Sequence, residues 1–170
     1  MEGKVIAVCI SEKKGTEKVN IHSCEVIEGF GLKNDAHGGN WHRQVSLLSH
    51  EKIEDFKTRG GFVEKGAFGE NIIVSGIDLR NLPVGTKLNI NEVLLEVTQI
   101  GKECHSHCEI FHRVGECIMP KEGIFAIVLK GGTISEGDKE PKAETKRCAM
   151  VRNSWKRLFF KNGAIFLPKC

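Results

Sequence analysis

Short apolar runs rich in β-branched residues, separated by polar turns that contain glycine, recur along most of the chain. This pattern predicts strands at residues 3–10, 23–30, 43–48, 72–74, 87–90, 93–98 and 124–129. Asn91 and Glu92 form the turn of a predicted hairpin. Many short strands at close spacing favour a barrel or a sandwich over a parallel α/β sheet.

Helices are few in the same pattern. Ser49 is a suitable N-cap for a helix over residues 50–58, in which Ile53 and Phe56 would share one face. Residues 107–114 are a second helical candidate with poor caps. Two polar, glycine-rich loops, at residues 33–41 and 66–71, could let the backbone approach a ligand closely.

The length of 170 residues fits one domain, which we place at residues 1–150, followed by a tail over residues 151–170. The tail has five Lys and Arg residues and no acidic residue, and aromatic residues such as Trp155 and Phe159 interleave with them. It is either a basic amphipathic helix that packs on the domain or on a partner, or poorly ordered extra sequence.

The net charge of +3 comes from this tail, because the rest of the chain has 20 basic residues against 22 acidic ones. A nucleic-acid-binding protein would carry a basic excess on its folded body or on a clear arm. No apolar run approaches the roughly 20 residues that cross a bilayer, and residues 1–4 do not resemble a signal peptide. We therefore expect a cytoplasmic protein that binds neither nucleic acid nor membranes.

Seven cysteines in a reducing compartment are expected to be reduced, metal-bound or catalytic rather than paired in disulfides. Residues 101–117 concentrate this chemistry in one connection between two predicted strands. Thiolates and imidazoles are ligands for Zn, Cu and Mo, and thiolates are also nucleophiles. The six such residues of the segment are Cys104, His105, His107, Cys108, His112 and Cys117.

Zinc is the simplest metal for such a segment. Cys104, Cys108, His112 and Cys117 would give a Cys-x3-Cys-x3-His-x4-Cys ligand set. That spacing matches no common zinc module, so we do not expect zinc.

The order of several motifs resembles the MOSC domain, the β-barrel module named for the C-terminal part of molybdenum cofactor sulfurases, and is most similar to its small stand-alone bacterial forms. The resemblance covers residues 4–150, and it is the ordered set rather than any single motif that is specific. Asn34 stands where the family usually has glycine. The matching pieces are residues 33–39, 43–48, 69–71 with 74–79, 82–85, 98–104, 123–125, 132 and 137–138.

The resemblance implies a mainly β fold, a closed or partly open, mostly antiparallel barrel with a few short helices. It also implies binding or servicing of the molybdenum cofactor (molybdopterin), held permanently or only transiently, with a cysteine at the site. Cys104 matches by its Thr-Gln-x-x-Lys-x-Cys context, and Cys117 lies near the place where some relatives put a metal-binding cysteine. Both are candidates for the catalytic thiolate and for the metal ligand, with Cys104 preferred.

Lys102, His105 and His107 would favour the thiolate of Cys104. The alternative for either cysteine is a buried structural thiol.

The cofactor is an anionic pterin phosphate, so its site should offer cations and backbone N–H groups. Arg43, Lys102 and Arg113 are the cationic candidates, although arginines at such positions can also be ordinary surface residues. The two glycine-rich loops supply the remaining candidates, which are Asp35, His37, Gly38, Gly39 and Asn71. Asp35 and His37 could orient a ligand or could simply be ordinary turn residues.

Three functions remain open on the sequence alone. The first possibility is a catalytic protein. It would be either a sulfur carrier that a cysteine desulfurase loads, or a molybdenum-dependent reductase of N-hydroxylated compounds that receives electrons from an external electron-transfer protein. The second possibility is a non-catalytic protein that only binds and hands on the cofactor. A zinc-stabilised interaction module is the third and weakest.

Overall fold

The structure is a computed structural model of the chain, and it describes residues 3–103, 111–112, 115–139 and 141–144. This part of the chain contains eleven strands, two short helices and one 3₁₀ turn. The strands are β1 (Lys4–Ile10), β2 (Val19–Asn20), β3 (Ser23–Ile27), β4 (Gly31–Leu32), β5 (Val45–Ser49), β6 (Ile72–Ser75), β7 (Lys87–Ile90), β8 (Val93–Ile100), β9 (Ile124–Lys130), β10 (Gly132–Ser135) and β11 (Pro141–Glu144). The helices are α1 (His50–Thr58) and α2 (Met119–Glu122), and the 3₁₀ turn is Leu79–Asn81.

Two sheets form the fold. The larger has eight strands in the order β11-β7-β8-β9-β5-β6-β1-β2, and the smaller has the order β10-β3-β4. Among the described pairs of neighbouring strands, only the pair β5 and β6 is parallel, and all other pairs are antiparallel. The larger sheet curls into a half-barrel. The expectation of a mainly β, closed or partly open and mostly antiparallel barrel is therefore confirmed, and the curled sheet corresponds to the partly open form.

One face of the curled sheet encloses the main core. Alternate residues of each strand reach this core because successive side chains of a strand point to opposite faces. Val45 and Leu47 of β5 belong to it, whereas Leu48 belongs to the cluster on the other face. In β1 an irregular register between Val5 and Ala7 shifts the alternation.

The opposite face of β1, β5, β6 and β9 is covered by α1, by the loop after it and by α2. Ile53 and Phe56, the pair that predicts the helix, are the buried residues of α1. Phe56 meets Phe68 of the following loop edge to face, with ring centroids 5.1 Å apart. We call this second buried cluster the outer core; its other members include Ala7, Cys9, Ile73, Met119 and Phe125.

Sequence and structure agree on most elements. The helix at residues 50–58 is confirmed with both of its bounds, and each predicted strand is found within a few residues. The predicted strand at residues 23–30 ends at Ile27, because Gly29 adopts a φ of 67° and the chain turns into β4. The tail over residues 151–170 and most of the helical candidate at residues 107–114 lie outside the described residues. No helix of the described chain has the length and hydrophobicity that a membrane crossing needs.

Candidate functional site

A small cavity of about 190 Å³ opens over the outer core, where the glycine-rich loop before β5 meets the ends of several strands. Its walls come from segments far apart in the sequence, so the fold creates the site. The lining residues are Gly15, Thr16, His37, Trp41, Arg43, Ser46, Phe68, Gly69, Asn71, Lys102, Met119 and Phe125.

Arg43 lies at the centre of this arrangement. Its guanidinium carbon is 4.9 Å from the centroid of the Trp41 ring and 5.6 Å from that of Phe125. These contacts hold the planar cation between aromatic surfaces. The Nε atom of Arg43 is buried and has no hydrogen-bond partner within the described chain. A buried donor without a partner costs free energy, so this group is suited to receive an acceptor from a ligand.

The loop before β5 is fixed by its own hydrogen bonds. The indole Nε1 of Trp41 donates to the carbonyl oxygen of His37 at 2.8 Å. The backbone N–H of Gly39 donates to the carbonyl oxygen of Phe30 at 2.8 Å, and a Cβ on Gly38 would lie 2.3 Å from the Phe30 ring. Gly38 and Gly39 therefore shape the loop, and neither is a lining residue of the cavity among those described.

Asp35 lies behind the cavity in a buried ion pair with Lys18. Burial opposes the charge of Asp35, but the hydrogen bond and positive charge of Lys18, together with the Ser11 N–H, leave its pKa below the ordinary value. The carboxylate also accepts from the N–H of His37 at 3.2 Å. Asp35 thus anchors the loop that carries His37.

Asn71 lies where the loop after α1 enters β6. Its Oδ1 accepts from the N–H and the hydroxyl of Ser46 at 3.1 and 2.9 Å, and its Nδ2 donates to the carbonyl oxygen of Cys9 at 3.1 Å. These bonds tie β5 and β1 together. Asn71 lines the cavity, and its main structural effect is to hold this wall in place.

Glu70 is fully buried next to Asn71. Its carboxylate accepts from the N–H groups of Gly66 and Phe68 at 2.8 and 3.0 Å. Burial raises the pKa of Glu70 to about 7 despite these bonds. Glu70 stabilises the turn and is not among the described lining residues of the cavity.

The cysteine-rich segment begins and ends beside the cavity. Lys102 lines it two residues after β8, and Met119 lines it at the start of α2. Lys102 N–H donates to the carbonyl oxygen of Pro120 at 3.2 Å, which joins the two ends. Cys117 is half-buried and packs against the outer core. Cys104, Cys108, His105, His107 and Arg113 lie outside the described residues.

The described walls of this cavity carry basic side chains, Arg43 and Lys102, and no acidic one. A larger cavity of about 760 Å³ lies between α1 and the 3₁₀ turn, but its walls mix both charges. There Arg80 and Lys52 are both paired with Glu122, at 3.0 and 3.4 Å. The smaller cavity is therefore the better candidate for an anionic ligand.

The structure brings together four of the cofactor-binding candidates, His37, Arg43, Asn71 and Lys102, and puts Asp35 directly behind them. Sequence reasoning missed Lys18, because a lysine in a polar loop gives no sign that it will be buried. It also missed Ser46 and Phe125, which are apposed in the register of β5 and β9 and so reach the cavity together. Only the pairing of the strands reveals that contact.

Comparison with known proteins now identifies the family. The model of the MOSC domain matches residues 33–139, which include most of the cavity walls. The chain belongs to the MOSC domain family. No curated protein matches this MOSC domain by sequence.

Solved structures show the same fold at low sequence identity. The YuaD protein from Bacillus subtilis is 20% identical, with a TM-score of 0.68 over 82% of this chain and 94% of that one. YiiM from Geobacillus stearothermophilus is 17% identical, with a TM-score of 0.64 over 86% and 77% of the two chains. YiiM from Escherichia coli is 18% identical, with a TM-score of 0.60 over 85% and 71%.

Proposed function

We propose that the cavity around Arg43 binds the molybdenum cofactor, with the anionic phosphate of its pterin held by Arg43 and Lys102. The observation that carries this proposal is the buried Nε of Arg43, which has no partner within the described residues although its guanidinium is fixed between two aromatic rings. A phosphate oxygen would supply the missing acceptor in a charge-assisted bond. Family membership supports the same assignment.

The residues present suit such a group chemically. Trp41 and Phe125 give the cavity apolar surfaces, while Arg43, Lys102 and His37 give it donors. The described walls contain no carboxylate that would repel an anion. When bound, the cofactor would supply a molybdenum centre for redox or sulfur chemistry.

Cys104 is our candidate for the thiolate at this centre, and Cys117 is the alternative. Both cysteines are close in sequence to residues that line the cavity. Cys104 comes two residues after Lys102, and Cys117 comes two residues before Met119. A cation two residues away favours the thiolate over the thiol. The Cys104 thiolate would serve as sulfur carrier or as ligand to the metal.

Two catalytic roles follow from that thiolate, each with its own partner. In a carrier, a cysteine desulfurase would pass the terminal sulfur of its persulfide to Cys104, which becomes the persulfide while the donor cysteine leaves as thiolate. In a reductase of N-hydroxylated compounds, a separate electron-transfer protein would supply electrons. A non-catalytic carrier of the cofactor would use the same cavity without either partner.

The test is the molybdenum and pterin content of protein produced in a host that makes the cofactor. We expect both groups to co-purify with the wild-type chain, and Arg43→Met to lower the pterin content at least about tenfold through loss of charge-assisted bonds. Arg80→Met, at the larger cavity, is the matched control and should retain the wild-type content. Wild-type protein that carries neither molybdenum nor pterin would contradict the proposal.

Serine substitutions then separate the roles. Cys104→Ser should abolish sulfur or electron transfer while leaving the pterin bound, if Cys104 is the working thiolate. Transfer that is lost only in Cys117→Ser would move the role to Cys117. Full transfer in both variants would exclude Cys104 and Cys117 as the working thiolate.

A further inference from the structure

The buried pair behind the cavity has a third member, which is His37. The ammonium of Lys18 lies 3.3 Å from Nδ1 of the His37 ring as well as against Asp35. The side chains of Lys18 and Asp35 are 1% and 0% exposed, whereas that of His37 is 29% exposed and lines the cavity. The three residues therefore connect the interior of the protein to the wall of the site.

The donors and acceptors of these three side chains determine which nitrogen of the His37 ring carries the proton. An ammonium can only donate, so Nδ1 of His37 must accept from Lys18. The other possible partner of an Nδ1 proton, Oδ2 of Asp35, is 3.9 Å away, which is too far for a hydrogen bond. A neutral imidazole with an accepting Nδ1 carries its proton on Nε2.

We propose that Lys18 is a positioning residue that fixes His37 as a neutral Nε2–H donor toward the anionic ligand of the cavity. The identity of the ligand in this inference rests on the proposed function. The protonation of the His37 ring does not depend on it. Lys18 does not line the cavity and acts only through His37. Burial lowers the pKa of Lys18, and the hydrogen bond and negative charge of Asp35 oppose that shift and favour the ammonium form in the interior.

The charges around the ring are consistent with a neutral imidazole. The pKa of His37 is below its ordinary value, first because the ring is buried and then because of the positive charge of Lys18. Lys14 and Lys102 act in the same direction, and Asp35 opposes them. The ring can therefore donate one hydrogen bond to an anion without first taking up a proton.

The first measurement is the tautomer of His37 in ¹⁵N-labelled wild-type protein at pH 7.5, from long-range ¹H–¹⁵N correlation spectra. We expect one neutral species that is protonated on Nε2. Half-buried His50, on α1, supplies a reference imidazole signal from outside this group of three residues. A ring protonated on Nδ1, a mixture of tautomers or an imidazolium at this pH would overturn the inference.

A double variant tests whether Lys18 is the cause. Lys18→Met combined with Asp35→Asn removes both charges together, so no unpaired ion is left in the interior. In this variant we expect a mixture of His37 tautomers and a pKa higher than in the wild type. If the folded variant still shows Nε2–H alone and an unchanged pKa, Lys18 does not position the ring.

Two amide substitutions test the consequence for binding, with inorganic phosphate as the probe. His37→Gln places an amide nitrogen near the position of Nε2, whereas His37→Asn reaches only as far as Nδ1. We expect His37→Gln to bind phosphate within a few-fold of the wild type and His37→Asn to lose at least about tenfold in affinity. Equal losses in both variants would overturn the role of the Nε2 donor.

The outcomes separate this inference from the proposed function. If wild-type protein binds neither pterin nor phosphate but His37 is an Nε2–H tautomer that depends on Lys18, the proposed function fails and the positioning of the ring stands. If pterin binds and the ring is protonated on Nδ1, the positioning fails and the proposed function stands.

Discussion

At the scale of single residues, the Lys18–Asp35 pair is almost completely buried, so the loss of either charge should lower the stability of the fold. Asp35→Asn would leave the Lys18 ammonium buried without a counter-charge. The Ser11 and His37 N–H groups bond to different carboxylate oxygens, so an amide, which has one oxygen, would lose one of these acceptors. We expect the free energy of unfolding to fall by about 3–5 kcal/mol. Urea denaturation at pH 7 measures this loss.

The control for this substitution is Glu25→Gln, which removes the same charge from an exposed pair with Lys33. Solvated pairs contribute little to stability, so the urea midpoint should not move. Similar losses in both variants would mean that Asp35 has no special structural role.

The raised pKa of Glu70 should make the free energy of unfolding depend on pH. Its folded-state pKa of about 7 is above the value of 4.5 that applies to an unperturbed carboxyl. Between these two pH values the folded protein binds more protons than the unfolded chain, so this group's contribution to stability falls as the pH rises. Glu70→Gln should remove that part of the slope, as measured by urea denaturation at several pH values. An identical slope in wild type and variant would contradict the assignment.

At the scale of elements, the loop between α1 and β6 holds Lys18 in place. The carbonyl oxygen of Gly66 accepts from the Lys18 N–H at 2.9 Å, and a Cβ on Gly66 would lie 2.1 Å from the Lys18 carbonyl oxygen. Gly60, in the same loop, shares a φ of 94° but has nothing within 4 Å of its Cβ position. The two glycines therefore differ in available space and not in backbone conformation.

We expect Gly60→Ala to cost about 1 kcal/mol of unfolding free energy through backbone strain alone. Gly66→Ala should cost at least about 2 kcal/mol more, because the contact involves backbone and must be relieved by displacing the Lys18 segment. It should also weaken phosphate binding, whereas Gly60→Ala should not. Equal costs and equal binding would show that the loop does not support the site.

Elements with strong periodicity could be predicted from the sequence, and short ones could not. Helix α1 and strand β8 have apolar residues at the spacing that their burial requires. Strands β2 and β4 have only two residues each, which is too short for any alternation to be visible. They exist because longer neighbours, β1 and β3, provide their hydrogen-bonding partners.

At the scale of the whole molecule, the family and its half-barrel fold could be predicted because the order of the motifs survives along the chain. The walls of the candidate site could be predicted only in part. Arg43, Lys102 and the 33–39 loop carry visible sequence signals. Phe125 lines the cavity only because β5 pairs with β9, and Lys18 lies behind the cavity only because its loop is buried. Such contacts depend on the fold and leave no local pattern.

The most direct test of the account is the position of molybdenum in crystals of the protein loaded with cofactor, located by anomalous scattering at the molybdenum edge. We predict a peak at the cavity lined by Arg43 and Lys102, with the phosphate of the pterin within hydrogen-bond distance of Arg43 Nε. A cofactor bound at the larger cavity beside Arg80, or bound with Arg43 still unpaired, would contradict the account.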